Sequence, residues 1–112
     1  MVRIERKYPF GRKLLLFGVY DIIDRLKGRT DYDEASGKVT SELAVYERQS
    51  TFAFEVHQTE EGSRLVIELL IPADGLSQQG QERAVHFLAD SIDQHAENTL
   101  AGKDIPEQLK AQ

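Results

Sequence analysis

The sequence contains no cysteine, and this absence removes several kinds of chemistry from consideration. Without cysteine the chain forms no disulfide, has no thiolate nucleophile and offers no cysteine ligand to zinc. The fold must therefore be stabilised by its own packed core. A chain of 112 residues is long enough for one such core, since a domain of this size buries about 65% of its unfolded surface. The lack of disulfides is compatible with a reducing compartment, and we expect a cytoplasmic protein.

Long apolar runs are also missing. The segment LLLFGVY, residues 14–20, follows several basic residues in the order of a signal peptide, but it contains only seven residues. No cleavage site of small residues follows it, and a membrane-spanning helix needs about 20 apolar residues. We therefore interpret the segment as part of a folded domain and expect no association with a membrane.

Positive charge is scarce outside the first quarter of the chain. Residues 1–29 carry eight Lys or Arg and three acidic residues, a net charge of +5, whereas residues 30–112 carry six and sixteen, a net charge of −10. An isoelectric point near 5.2 opposes binding to the phosphates of DNA or RNA, and we expect no nucleic acid partner. We interpret these charges as solvated faces of a strand and a helix. The alternative is that the basic N-terminal part meets an acidic partner, or the acidic remainder of a second copy.

Motifs for catalysis or cofactor binding are absent as well. The glycines from Gly75 to Gly80 lack the spacing of phosphate-binding loops, and no serine, histidine and acid form a recognisable triad. His86, Asp90 and Asp93 share one face of a predicted helix, but that face is the solvated one, so we interpret them as surface residues rather than metal ligands. The sequence favours a protein with no cofactor, no metal and no catalytic residue.

Three segments alternate between apolar and polar residues, the pattern of half-buried antiparallel strands. Polar links of hairpin length join them, with a tight turn predicted at Gln49 and Ser50, so neighbouring strands should pair in sequence. Residues 2–8 indicate an earlier strand, and Arg29 to Asp33 a further short one. The predicted inward residues of the three segments are Val39, Leu43, Val45, Phe52, Phe54, Val56, Leu65, Ile67, Leu69 and Ile71.

Two amphipathic helices complete the pattern. The first spans roughly residues 11–27, and the second follows a helix N-cap at Ser77 and ends before Gly102. Gly18 inside the first helix costs about 1 kcal/mol relative to alanine, which favours a role in close helix packing.

The predicted fold class is α+β. The elements follow the order β-α-β-β-β-α and form a two-layer sandwich, with an antiparallel sheet and both helices on one face. We expect one domain over residues 1–102 and a frayed tail over residues 103–112.

A family resemblance appears in the second half of the chain. The segment GSRLVIELLIPADGL, residues 62–76, resembles the closing section of START-like, helix-grip domains of the polyketide-cyclase type. The overlapping segment YERQSTFAFEVHQTEEGSRL, residues 46–65, is similar to their strand and hairpin rhythm. The resemblance implies a small hydrophobic ligand between the sheet and the last helix, against Phe54, Ile67 and Ile92. These bulky side chains, however, favour a packed core over a cavity.

Several large apolar residues lie off the inward faces. Phe17 and Phe87 lie off the inward stripes of their helices, and Tyr46, Val66 and Leu70 point to the outward side of the sheet. Contiguous exposed apolar residues usually mark an interface. We therefore predict a non-enzymatic interaction or self-association module that uses these five residues, with a homodimer or another protein as the partner. A START-like binder of a small hydrophobic ligand is the alternative.

Overall fold

The computed structural model describes residues 2–33 and 36–100. The elements in these residues are β1 (Arg3–Tyr8), α1 (Arg12–Arg25), β2 (Arg29–Asp33), β3 (Lys38–Val45), β4 (Arg48–Gln58), β5 (Ser63–Ile71) and α2 (Gln78–Leu100). These strands form one antiparallel sheet in the spatial order β1-β5-β4-β3-β2. The predicted α+β class and antiparallel sheet are therefore confirmed. Strand β2 is the further short strand indicated at Arg29 to Asp33, which the predicted order β-α-β-β-β-α leaves out.

One hydrophobic cluster contains buried residues of both helices and alternate residues of the strands. The strand residues in it are those that the alternation predicted as inward, except Ile71, which is exposed at the end of β5. The register between β4 and β5 shifts between Thr51 and Phe52, so the simple alternation does not continue to this end of the pair. The central members of the cluster are Leu15, Val19, Val39, Leu43, Phe52, Phe54, Leu65, Ile67, Val85, Leu88 and Ile92.

The connection between β3 and β4 differs from the prediction. Val45 pairs with Arg48, so the turn consists of Tyr46 and Glu47 rather than Gln49 and Ser50. Both turn residues have a left-handed backbone, with φ of 52° at Tyr46 and 65° at Glu47. Two-residue hairpins favour such primed turns because their twist matches that of the strands, but Asn and Gly normally occupy them. Neither residue type is present, so the sequence carries no signal for this turn.

The two helices meet at Gly18. A methyl group on this glycine would lie 3.4 Å from His95 Nδ1 and 3.5 Å from Ile92 Cγ2, so α1 and α2 pack closely there. The Ser77 hydroxyl accepts a hydrogen bond of 3.0 Å from the Gly80 amide, as an N-cap does. Neither described helix is long and apolar enough to cross a membrane.

The predicted end of the last helix at Gly102 lies outside the described residues. The predicted tail over residues 103–112 lies outside them as well.

Candidate functional site

The residues that the family resemblance implies for ligand binding lie in the centre of the core. Phe54, Ile67 and Ile92 are fully buried in the single hydrophobic cluster. None of them lines the five main grooves on the described surface. Because protein interiors are close-packed, a ligand between the sheet and α2 would have to displace these side chains.

The outward side of the sheet carries charge beside Val66, one of the predicted interface residues. Val66 is only 2% exposed, and Leu70 is half-buried. In the sheet register Val66 lies between Glu5 on β1 and Glu55 on β4. Val66 therefore offers little surface to a partner.

Phe17 belongs to the contact between the two helices. Its ring centroid lies 4.9 Å from that of His95, which is buried. The Nε2 atom of His95 lies 3.5 Å from Asp21 Oδ2 on α1. Phe17 is half-buried in this arrangement, so most of its surface already serves the fold.

The remaining two predicted interface residues contact each other. The rings of Tyr46 and Phe87 are tilted by 54°, with centroids 5.3 Å apart. Tyr46 is 65% exposed, whereas Phe87 is half-buried and packs against the core. We call this pair the aromatic ridge. The sequence patterns assigned the two residues to different surfaces, and only the turn between β3 and β4 brings them together.

The backbone that positions Tyr46 is locally unfavourable. Both Tyr46 and Glu47 carry a Cβ in the left-handed region, which costs on the order of 1 kcal/mol or more for each residue. Hydrogen bonding of β3 and β4 on either side holds the turn in this conformation. The turn thus places an aromatic ring over α2 and leaves most of that ring in solvent.

Two grooves border the aromatic ridge, and Tyr46 and Arg83 line both of them. The turn groove has a volume of about 560 Å³ and is also lined by Arg48 and Leu76. The guanidinium of Arg48 donates a hydrogen bond of 3.0 Å to the Asp74 carbonyl oxygen. The helix groove has a volume of about 410 Å³ and runs along α2; its other lining residues are His86, Phe87, Asp90, Ser91 and Gln94.

A separate polar cluster joins β1 to α2. The Arg6 guanidinium donates to Asp93 and forms an ion pair of 2.9 Å with Asp90, and the Tyr8 hydroxyl donates to Asp93. We call these four residues the polar cluster. Two of the three residues considered as metal ligands in the sequence, Asp90 and Asp93, are thus paired with Arg6. Among the described residues, no group of three acidic, histidine or cysteine side chains is arranged to hold a metal ion.

The polar cluster also determines protonation states. Burial, together with the hydrogen bond to Asp93 and the charge of that carboxylate, raises the pKa of the Tyr8 hydroxyl well above its usual range. Burial lowers the pKa of Arg6, but the hydrogen bond to Asp90 and the charges of Asp93 and Asp90 outweigh it, so the pKa is raised overall. Tyr8 is therefore a neutral donor, and Arg6 is a cation that holds two carboxylates.

Comparison with models of known protein families and with curated protein sequences finds no match for this chain. The candidate site is therefore defined by its own geometry, as the aromatic ridge and its two grooves.

Proposed function

We propose that this protein is a non-enzymatic interaction module that binds a protein partner through the aromatic ridge and the two grooves beside it. The observation that supports this most directly is Tyr46, whose ring contacts that of Phe87 while the residue remains 65% exposed. Tyrosine is enriched among the residues that dominate binding energy at protein interfaces, because its large ring has few rotatable bonds.

The strained turn supports the same proposal. A left-handed backbone at two residues with side chains is unfavourable, and such strain is concentrated at functional sites. Asn and Gly in this turn would relieve it, but an Asn or Gly at position 46 would remove the ring. The turn sequence thus keeps an exposed aromatic ring at position 46 at a cost in local stability.

The surroundings of the ridge resemble an interface more than a catalytic centre. Arg48, Arg83 and Asp90 form a charged rim around the two rings, as polar residues surround the apolar centre of many interfaces. Asp90 is already paired with Arg6, so it is a poor candidate for a general base beside His86. We expect the module to act in the cytoplasm, as the absence of cysteine permits.

Site-specific photo-crosslinking tests the proposal. A benzophenone amino acid at position 46 is compared in cells with the same group at position 32, because Tyr32 is 43% exposed on β2 at the edge of the sheet. We expect a protein crosslink, to another protein or to a second copy, from position 46 and not from position 32. The crosslinked protein is then purified and titrated with wild type, Tyr46→Ala and Tyr32→Ala.

The titration shows whether the aromatic ridge contributes a large share of the binding energy. Tyr46→Ala should weaken the dissociation constant at least about tenfold, as truncation of a central aromatic residue does, and Tyr32→Ala should leave it unchanged. Crosslinks from position 32 alone, or equal affinities for wild type and Tyr46→Ala, would overturn the proposed surface.

A further inference from the structure

The face of α2 that lines the helix groove carries two opposite charges, one on each side of Phe87. Arg83, Phe87 and Asp90 are spaced four and three residues apart, so they lie on one face of the helix. All three line the helix groove. Along α2 the groove therefore has a cation, then an aromatic ring, then a carboxylate.

We propose that the helix groove binds a second copy of this chain, with the two α2 helices antiparallel about a two-fold axis. This inference rests on the proposed function and names the partner of its surface. In the register that sets Phe87 against His86 of the second copy, Arg83 lies opposite Asp90 of that copy. The two-fold axis repeats the same pair on the other side. A two-fold contact requires a patch that is complementary to itself, and this order of charges meets that requirement.

The two charged groups are available for such a contact. Within the described residues Arg83 is exposed and makes no hydrogen bond or ion pair. Asp90 uses Oδ1 to pair with Arg6, yet its side chain is 70% exposed, which leaves the second oxygen accessible. Arg6 also orients the carboxylate before any partner arrives, which reduces the entropy lost on binding.

The two α2 helices overlap along most of their length in this register. In this register residues 78–95 of each α2 lie alongside the same range of the other copy. At a rise of 1.5 Å per residue this overlap extends over about 27 Å. Tyr46 lines the same groove and stands beside the incoming helix, where it adds aromatic surface to each half of the contact.

Charge reversal tests the arrangement in the full-length chain. Analytical ultracentrifugation over a range of concentrations should show a monomer–dimer equilibrium for wild type. Arg83→Glu and Asp90→Lys should each raise the dimer dissociation constant about tenfold, because each reversal places like charges opposite each other twice. An equimolar mixture of the two variants should restore dimers, since the new acid of one variant then faces the new base of the other.

Matched variants separate this effect from changes in folding or overall charge. Lys13→Glu and Asp24→Lys reverse exposed charges on α1 and should leave the dimer unchanged. Asp90→Asn removes the charge but keeps the shape of the side chain, and it should weaken the dimer even if lysine beside Arg6 disturbs the helix. Circular dichroism verifies that each variant is folded.

Three outcomes would overturn the inference, and they are distinct from a failure of the proposed function. A wild-type protein that stays monomeric at every concentration excludes the second copy, while crosslinks from position 46 to another protein still support the ridge. A dimer that tolerates Asp90→Asn and both charge reversals excludes the antiparallel α2 contact. If mixing the two reversed variants restores no dimer, Arg83 and Asp90 do not face each other.

Discussion

Helix α2 contacts the strands in two regions, the polar cluster and the aromatic ridge. The two regions differ in how far their side chains are occupied by partners within the fold. In the polar cluster, the Tyr8 hydroxyl and the Arg6 guanidinium both donate to Asp93, and neither depends on an outside partner. In the aromatic ridge, Tyr46 leaves most of its ring in solvent and rests on a strained turn. The polar cluster is a complete contact that holds the fold together, whereas the aromatic ridge is a surface with capacity for a partner.

Asp90 links these two regions. It pairs with Arg6 of the polar cluster and also lines the helix groove beside the aromatic ridge. One charged residue of α2 therefore belongs both to a contact within the fold and to the groove. A carboxylate that is paired within the fold can still orient an oxygen toward a second copy.

Removal of Asp93 should have the largest effect on stability. Asp93→Ala leaves Tyr8 and Arg6, which are both half-buried, without their shared acceptor, so we expect the free energy of unfolding to fall by about 2 kcal/mol. Urea unfolding followed by circular dichroism measures the change. Asp24→Ala, at an exposed carboxylate of α1, is the control and should change the value by less than about 0.5 kcal/mol. Equal effects of the two variants would contradict a stabilising role for the polar cluster.

Tyr8→Phe should have an intermediate effect that depends on pH. Loss of one hydrogen bond to a carboxylate should lower the free energy of unfolding by about 1.5 kcal/mol at neutral pH. The pKa of Tyr8 is raised on folding, so this stabilisation is fully present below the ordinary tyrosine pKa of about 10. It is lost as the pH rises further, because the unfolded chain then releases a proton that the folded protein retains.

Unfolding titrations between about pH 9 and pH 11 follow this change. The difference between wild type and Tyr8→Phe should shrink over that range, whereas a constant difference would show that the hydroxyl proton is not held by the fold. Tyr20→Phe, at an exposed position of α1, is the matched control and should cost less than about 0.5 kcal/mol at neutral pH.

The smallest expected effect is on the turn that carries the aromatic ridge. Glu47→Gly removes a Cβ from a left-handed residue and should raise the free energy of unfolding by about 0.5 kcal/mol, after the greater entropy of glycine in the unfolded chain is included. Ala44→Gly, at an exposed position in β3, should instead lower it by about 0.5 to 1 kcal/mol. Thermal unfolding compares the two. If both glycines destabilise equally, Glu47 is not strained in the native state.

Much of the fold is predictable because its signals are local. Alternation of Phe52 and Phe54 with polar neighbours indicates which side of β4 faces the core, and Ser77 indicates where α2 begins. The turn is the clearest error, because Tyr46 and Glu47 lack the glycine or asparagine that marks a primed turn. Pairing of β3 with β4 on either side of these two residues holds them in the turn.

The candidate site was predictable only in part. Tyr46 and Phe87 stood out as large apolar residues off the inward faces, but nothing in their own segments indicated that they meet. Val66 meets the same criterion and is nevertheless buried, in the middle of the sheet between Glu5 and Glu55. Its exposure depends on the register of three strands, which its own segment does not encode.

The sequence by itself determined the class of fold and most of the residues that face the core, because side-chain direction follows from local spacing along a strand or helix. Only the tertiary structure decided which side chains from distant segments contact each other. Arg6 and Asp93 are separated by 87 positions, and Tyr46 reaches Phe87 only through a turn that its neighbours impose. Such contacts depend on strand register and on how the helices pack against the sheet. These are properties of the assembled chain rather than of any one segment.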